Sequence, residues 1–196
     1  MIDQNILMQM REYAEAENVP IMSDDGINYL FNYIKKFNVK KILEIGTAIG
    51  YSSIMMCGCS PDITVTTIER DEKRYLEAIK NIKKAKLNDR IDLIFSDAFD
   101  VKLEDKYDLI FIDAAKAQNI NFFEMFEKNL VNRGTIITDN MNFHGLVYKD
   151  PEKIESRNLR QLVRKIKKYK EFLENNKNYD TEFLNIGDGL AVSMKK

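Results

Sequence analysis

The sequence predicts an α/β fold in which a mostly parallel sheet is covered by helices on both faces. Five short apolar runs alternate with helical patterns between residues 41 and 139. Runs that are apolar on both faces and joined by helices are typical of buried parallel strands. Two further strand patterns, at 180–186 and 189–195, flank a Gly-Asp-Gly turn at 187–189, which favours a terminal antiparallel hairpin.

The predicted elements follow one another in a regular order. Two helical patterns come first, at about 3–17 and 24–37, with Ser23 or Asp24 as the cap of the second. Strands are then predicted at 41–45, 63–68, 91–95, 107–112 and 135–139. Helices are predicted near 50–58, 71–86, 118–129 and 155–176.

Length and composition indicate a single domain over residues 1–196, with an N-terminal helical cap at 1–38 and a core at 39–196. Cys57 and Cys59 are too close in sequence for an ordinary disulfide, so a reduced, cytoplasmic setting is expected. The amino terminus lacks a signal-peptide pattern, and no apolar segment is long enough to cross a bilayer. We therefore expect no membrane partner.

Glycines and acids follow the first three strands, at the edge where ligands bind in open sheets of this kind. Gly46 and Gly50 lie in a strand-to-helix turn and let a ligand approach the backbone. Glu69 suits two ribose hydroxyls, and Asp97 suits the amino group of a purine. Each residue alone also fits an ordinary turn or cap, but their order favours an adenosine-shaped site. The turn lacks the third glycine of a dinucleotide fingerprint, which disfavours a nicotinamide oxidoreductase.

The fourth and fifth strands both end on oxygen ligands. The run 107–112 is followed by Asp113, with Lys116 three residues later, and the fifth run ends on Asp139 and Asn140. If these strands are neighbours, two carboxylates and an amide oxygen meet at one edge of the sheet. That donor set suits Mg²⁺ or Mn²⁺ better than zinc. The alternative is that each acid merely caps the following helix or turn.

The predicted helix at 155–176 carries a basic face, which we call the basic stripe. Residues 153–170 hold eight Lys or Arg against one Glu, although the net charge of the chain is only −1. At 100° per residue the stripe comprises Arg157, Arg160, Arg164 and Lys168. The opposite, core-facing stripe comprises Leu159, Leu162, Ile166 and Leu173. A basic face of this kind usually lies in solvent. Arginines with almost no acidic residues beside them could also bind successive phosphates of an RNA chain. The chain is not basic overall, which argues mildly against RNA binding.

These motifs resemble the class I S-adenosylmethionine (SAM)-dependent O-methyltransferases of the metal-dependent group that includes catechol and caffeoyl-CoA methyltransferases. The similarity runs from V-P-I-M-S-D-D-G at 19–26 to G-D-G-L-A-V-S at 187–193. Within that group, R-N-L-R-Q-L-V-R-K-I at 157–166 and the terminal G-D-G-L-A-V-S-M-K-K are most similar to the bacterial tRNA 5-hydroxyuridine methyltransferases.

The resemblance implies a doubly wound, Rossmann-like methyltransferase fold with seven strands, the last one antiparallel. It implies that SAM is surrounded by Met22, Gly46, Thr47, Ser52, Glu69, Asp97, Ala98 and Asp113. It implies that Asp113, Asp139 and Asn140 hold Mg²⁺ or Mn²⁺, and that Lys116 lies near the ionising oxygen, as proton acceptor or as a cation that stabilises the anion. Relatives that act on coenzyme A esters suggest a homodimer.

The expected reaction is metal-dependent methyl transfer from SAM to 5-hydroxyuridine at the tRNA wobble position, giving 5-methoxyuridine. Like a catechol, 5-hydroxyuracil offers two neighbouring oxygens to one metal ion. The nearest alternative is therefore an enzyme acting on catechols, related phenols or caffeoyl-CoA-type esters. A more distant one is a non-catalytic RNA-binding protein, which the intact set of metal ligands and Lys116 argues against. Loop 141–150 is expected to be a substrate lid, and its His144 either touches substrate or is an ordinary surface residue.

Overall fold

The computed structural model describes residues 2–196 and contains one mixed sheet with helices on both faces. The helices are α1 (Gln4–Ala16), α2 (Asp24–Lys36), α3 (Tyr51–Cys57), α4 (Glu72–Lys84), α5 (Asn119–Phe126) and α6 (Arg157–Asn175). The strands are β1 (Lys41–Ile45), β2 (Thr64–Glu69), β3 (Ile91–Phe95), β4 (Tyr107–Ile112), β5 (Leu130–Thr138), β6 (Tyr179–Leu184) and β7 (Leu190–Lys195). Of the two caps predicted for α2, Ser23 is the one observed, since its side chain accepts a hydrogen bond from the Gly26 N–H.

The sheet has the strand order β3-β2-β1-β4-β5-β7-β6. Strands β1 to β5 pair in parallel, while β7 runs antiparallel to both β5 and β6. This confirms the doubly wound sheet of seven strands with its last strand antiparallel. The winding reverses between β1 and β4, so the ligand crevice of such a sheet should open at the carboxyl ends of these two strands.

The inner parallel strands β1, β2 and β4 are buried on both faces along almost their whole length, whereas the edge strand β3 is fully buried only at Ile91. In β4, Ile110 packs in the cluster that includes α5 and α6, whereas its neighbour Phe111 packs in the cluster that includes α1 to α3. Both side chains are fully buried. The core therefore consists of two layers that hold the sheet rigidly and fix where its strands end.

Most boundaries lie within two residues of the sequence prediction, and two differ by more. Strand β5 begins at Leu130, not at 135. Its pairing with β4 is irregular there, since Tyr107 pairs with Leu130 but Leu109 pairs with Thr135. Polar residues in this irregular stretch, including Arg133 at φ +61°, interrupt the apolar pattern by which the start of the strand would be predicted. The helix predicted to end at 129 ends at Phe126 and continues only as a 3₁₀ turn.

Helix α6 does not bury all of the predicted core stripe. Its buried residues are Val163, Ile166, Tyr169 and Leu173. Leu159 is 39% exposed, so its placement in the core was wrong. The amino-terminal part of α6 contacts the 3₁₀ turns at 146–148 and 151–153, and the buried positions lie further along the helix. Within residues 2–196, none of the helices has the length and apolar character needed to span a membrane.

Candidate active site

A cavity of about 880 Å³ opens at the carboxyl ends of the parallel strands, at the expected switch point. The segments that follow β1 to β5 form most of its wall. The chain before α2 and the turn between β6 and β7 close the remaining sides. A cavity of this size is typical of a site for a small organic ligand.

Backbone hydrogen bonds continue the sheet beyond the strand ends that form this wall. Gly46 donates its N–H to the Ile68 carbonyl at 3.1 Å, and Asp113 donates to the Ile45 carbonyl at 3.0 Å. Asp139 donates to the Ile112 carbonyl at 3.1 Å. The residues that face the cavity are therefore held by the sheet itself.

Gly46 makes the close approach of β1 to the end of β4 possible. It has φ +99°, and a Cβ built there would lie 2.5 Å from the Asp113 carbonyl oxygen. That conformation and that contact both exclude a side chain. The glycine thus brings the turn after β1 directly against Asp113.

The structure brings six of the eight predicted cofactor residues to the cavity wall: Met22, Gly46, Glu69, Asp97, Ala98 and Asp113. The side chains of Thr47 and Ser52 do not reach this wall. The Thr47 hydroxyl lies 2.6 Å from the Thr67 hydroxyl, and the Ser52 hydroxyl donates to Glu44. These contacts tie the turn after β1 to strand β2 and the start of α3 to strand β1.

Glu69 is held in place by backbone donors. Its carboxylate accepts hydrogen bonds from the N–H groups of Ala48, Arg70 and Asp71 at 2.8 to 2.9 Å. A carboxylate has roughly four acceptor positions, so about one remains for a ligand hydroxyl. The fit to a ribose is good, but Glu69 binds two hydroxyls only if they share an acceptor position or displace a backbone donor.

Asp97 lies beside Glu69 at the end of β3. The Phe99 N–H donates to its Oδ1 at 3.0 Å, and the Arg70 guanidinium donates to its Oδ2 at 3.1 Å. These donors lower the pKa of Asp97. The group therefore remains an ionised acceptor, which suits the amino group of a purine.

Glu44 is a buried acid to which the sequence analysis assigned no role. It is fully buried in β1 and accepts hydrogen bonds from the hydroxyls of Ser52, Ser53 and Thr67. Burial raises the pKa of Glu44 to about 7, against the opposing effect of these donors. The only signal in the sequence was an acid inside an apolar strand. The hydroxyl cluster ties β1 to the first turn of α3.

Replacing Glu44 by Gln is expected to remove one pH dependence of stability. Because the folded-state pKa of about 7 lies above the ordinary value of 4.5, the folded chain binds more protons than the unfolded chain between these pH values. The free energy of unfolding of the wild type should therefore fall as pH rises through this range, by on the order of 3 kcal/mol from Glu44. Gln cannot ionise and lacks this contribution.

Urea unfolding at pH 5, 6, 7 and 8 measures this effect. The unfolding free energy of Glu44→Gln relative to wild type should rise across the series, whereas the exposed Glu124→Gln control should show no such trend. A constant difference between wild type and Glu44→Gln at all four pH values would contradict the assignment.

Asp113 and Asp139 lie side by side at the ends of β4 and β5, directly after the paired residues Ile112 and Thr138. The Asp113 side chain is 22% exposed, and Asp139 is buried. Burial raises the pKa of both carboxyls, and the charge of Asp139 raises that of Asp113 further. Lys116 Nζ lies 3.9 Å from Asp113 Oδ1 and acts in the opposite direction. These two largely buried acids share the single positive charge of Lys116, so their negative charge is only partly balanced.

This edge fits a hard divalent ion. Asn140 follows directly, and its side chain adds an amide oxygen to the two carboxylates. Within residues 2–196 no group of three or more His, Cys, Asp or Glu is arranged to bind a metal. Asp113, Asp139 and Asn140 would offer a metal two carboxylates and one amide oxygen. Oxygen ligands of this kind suit Mg²⁺ or Mn²⁺, whereas structural zinc sites use Cys and His.

The loop after Asn140 has an unusual backbone. Asn140, Phe143 and His144 have φ values of +62°, +44° and +54°, and Gly145 has +76°. Left-handed conformations of non-glycine residues carry strain and often occur at functional sites. Phe143 and His144 both line the cavity, and the His144 side chain is 79% exposed. The loop predicted as a lid therefore lines the same cavity as Asp139 and Asn140.

The basic stripe of α6 is partly neutralised. Arg160 Nη1 lies 3.7 Å from Glu152 Oε2, and Arg160 Nη2 donates a hydrogen bond to the Ile154 carbonyl at 2.9 Å. Arg164 pairs with the same Glu152. The sequence interpretation of a nearly acid-free face was wrong for these two residues, because a turn outside the helix supplies the acid. Arg157 and Lys168 are exposed.

The sheet order, the antiparallel β7 and the cavity at the switch point define the Rossmann-like class of SAM-dependent methyltransferases. The chain belongs to the O-methyltransferase family, whose sequence pattern matches residues 1–196. The predicted family and fold are thus confirmed.

Curated relatives include two plant enzymes. The chain is 28% identical over 193 residues to a caffeoyl-CoA O-methyltransferase of Populus kitakamiensis, covering 94% of this chain and 82% of the relative. It is 29% identical over 198 residues to a flavonoid 3',5'-methyltransferase of Vitis vinifera, covering 96% and 83%.

Solved structures agree with the family. A Staphylococcus aureus protein provisionally named as a caffeoyl-CoA O-methyltransferase has a TM-score of 0.92 and 43% identity, over 97% of this chain and 92% of that one. A Bacillus cereus O-methyltransferase in complex with SAH has a TM-score of 0.84 and 28% identity, over 98% and 91%. The protein is a SAM-dependent O-methyltransferase of the caffeoyl-CoA O-methyltransferase type. The homodimer and the cytoplasmic setting stay predictions.

Proposed function

We propose that this enzyme methylates a hydroxyl oxygen in a divalent-metal-dependent reaction, with 5-hydroxyuridine at the tRNA wobble position as acceptor and 5-methoxyuridine as product. The meeting of Asp113, Asp139, Asn140 and Lys116 at one side of the SAM cavity carries the proposal. An acceptor with two neighbouring oxygens matches this arrangement, because both oxygens can bind one ion.

The reaction requires that the acceptor oxygen be aligned with the methyl group of SAM and that the acceptor hydroxyl lose its proton. The acceptor oxygen forms a bond to the methyl carbon as the carbon–sulfur bond breaks, and the electrons of that bond remain on sulfur. A divalent ion bound by Asp113, Asp139 and Asn140 would lower the pKa of the acceptor hydroxyl and hold it in place. Lys116 faces the same cavity, where its Nζ can take the proton or stabilise the oxyanion.

The position of α6 supports an RNA acceptor. The helix packs against the 146–148 turn, which follows the cavity residues Phe143 and His144 in the chain. Lys167 also donates to the Lys149 carbonyl at 3.1 Å, joining helix and loop. The exposed cations of α6 include Arg157, Lys165 and Lys168. Cations beside the loop of the cavity suit the phosphates that flank a nucleotide in a tRNA loop.

A small phenolic acceptor is the second candidate. Glu152 pairs with Arg160 and Arg164, which removes two of the four stripe residues as free phosphate contacts. The plant relatives named above are a caffeoyl-CoA and a flavonoid methyltransferase, which supports a small substrate. The same metal edge and the same Lys116 would serve a catechol, so only the acceptor distinguishes the two candidates.

Methyl transfer from labelled SAM distinguishes them. With Mg²⁺ present, we expect label to enter tRNA from a strain that lacks this enzyme at a kcat/KM at least about 100-fold above that for catechol or caffeoyl-CoA, because phosphate contacts add binding that a small acceptor lacks. Digestion of the product should yield 5-methoxyuridine. Excess EDTA should abolish transfer, and tRNA already carrying the modification is the control.

Two results would contradict this proposal. Efficient methylation of a phenol without methylation of hypomodified tRNA would establish the second candidate. Full activity in excess EDTA would exclude the metal-dependent reaction for either acceptor.

A further inference from the structure

Asp188 lies in the turn between β6 and β7 and faces the cavity next to Asn140. Its side chain is only 18% exposed. Asp188 Oδ2 accepts a hydrogen bond from Asn140 Nδ2 at 3.3 Å, and Oδ1 accepts one from the His144 N–H at 2.6 Å. One carboxylate thus joins a proposed metal ligand to the loop that faces the acceptor.

The backbone fixes Asp188 in this position. Asn142 donates its N–H to the Asp188 carbonyl at 2.8 Å, and Met141 donates to the Gly189 carbonyl at 2.9 Å. Gly189 has φ +88°, and a Cβ there would lie 2.6 Å from the Asn142 side chain. The turn therefore packs tightly on the chain that follows Asp139, and the Asp188 carboxylate has little freedom to move away.

The contact with Asp188 determines which end of the Asn140 amide is available. An Asn side chain carries one acceptor oxygen and one NH₂ donor group. Because Nδ2 donates to Asp188, the amide oxygen is left for another partner. A divalent cation binds the oxygen and not the NH₂ group. The Asn140 backbone is held as well, since its N–H donates to Asp139 Oδ1 at 2.7 Å.

We propose that Asp188 is a positioning residue that keeps the Asn140 oxygen directed at the metal and couples this ligand to the His144 loop. The inference rests on the proposed metal site at Asp113, Asp139 and Asn140. Groups that orient metal ligands typically contribute 10- to 100-fold to metal affinity. Asp188 contributes in this way without binding the ion itself.

Asp188→Asn tests the orientation directly. The substituted amide has one oxygen, which the His144 N–H would retain, so its NH₂ group would face Asn140. Asn140 would then rotate to present its oxygen to that NH₂ group and its own NH₂ group to the metal. We expect Mn²⁺ to bind at least about 10-fold more weakly, measured by the EPR signal of free Mn²⁺ during titration of the protein with Mn²⁺ alone.

The exchanged pair Asn140→Asp with Asp188→Asn provides the rescue. The carboxylate introduced at position 140 has two equivalent oxygens, so one can accept from the NH₂ group introduced at position 188 while the other faces the metal. The double variant should bind Mn²⁺ within about threefold of wild type, a difference that corresponds to less than about 1 kcal/mol. Asp180→Asn, on the exposed edge strand β6, is the matched control for loss of one carboxylate and should bind as wild type does.

The outcomes separate this inference from the proposed function. If wild type binds no Mn²⁺, the metal site itself is wrong. If wild type binds Mn²⁺ and Asp188→Asn binds it equally well, the positioning role is overturned. If the exchanged pair fails to recover binding although its thermal unfolding in EDTA matches that of Asp188→Asn, the amide-orientation argument is overturned as well.

Discussion

Replacing Lys116 by methionine is expected to lower kcat for methyl transfer by about 10²- to 10⁴-fold, the usual contribution of a positioned proton-transfer group. Methionine keeps most of the side-chain volume but removes the charge that lies 3.9 Å from Asp113. The residue lies on the acceptor side of the proposed site, with Asp139 and Asn140 in the same wall. The affinity for SAM should therefore change by less than about threefold, because ground-state binding of the cofactor does not need this cation.

Single-turnover transfer at saturating SAM and Mg²⁺ measures the chemical step, and calorimetric titration measures SAM binding. Lys83→Met is the matched control, since Lys83 is exposed on α4 and lies outside the cavity wall. Unchanged single-turnover rates in Lys116→Met would remove Lys116 from proton transfer. An equal loss of SAM affinity and rate would assign it to cofactor binding.

Replacing Gly46 by alanine is expected to lower the free energy of unfolding by about 3 kcal/mol, through a strained backbone and overpacking together. Alanine would have to adopt φ +99°, with its Cβ 2.5 Å from the Asp113 carbonyl oxygen. Relief of that contact requires β1 and the end of β4 to separate. The affinity for SAM should fall by more than about 10-fold, because Gly46 and Asp113 line the same cavity and would be displaced together.

Gly145→Ala provides a control that separates strain from steric contact. Gly145 also has a positive φ, +76°, but a Cβ there would meet nothing within 4 Å. It should lose only about 1 kcal/mol and keep SAM affinity. Thermal and urea unfolding, with calorimetric titration of SAM, measure both variants. Equal destabilisation by the two substitutions would show that the contact with Asp113 does not contribute to the loss of stability in Gly46→Ala.

Local sequence patterns were sufficient to predict most elements of this fold. β1 and β4 begin and end where the apolar runs do, because strands buried on both faces admit few polar residues. Strand β5 was an exception at its start, where polar residues interrupt the pairing before Thr135. Leu159 was another, since helical periodicity identifies a face but not where along the helix its packing begins.

The amino-acid pattern also predicts which side chains lie at the sheet edge, because a residue that follows a parallel strand must lie at that edge. Asp113, Asp139 and Asn140 were identified in this way, and the adjacency of β4 and β5 brought them together.

Contacts between separate elements became visible only in the folded chain. The fold placed Asp188 beside Asn140, Glu152 beside Arg164, and the hydroxyls of Ser52 and Thr67 on Glu44. These contacts depend on how separate elements pack together, at sequence separations from 8 to 48 residues. Periodicity and motif spacing describe only residues along one element, so they do not predict contacts between elements.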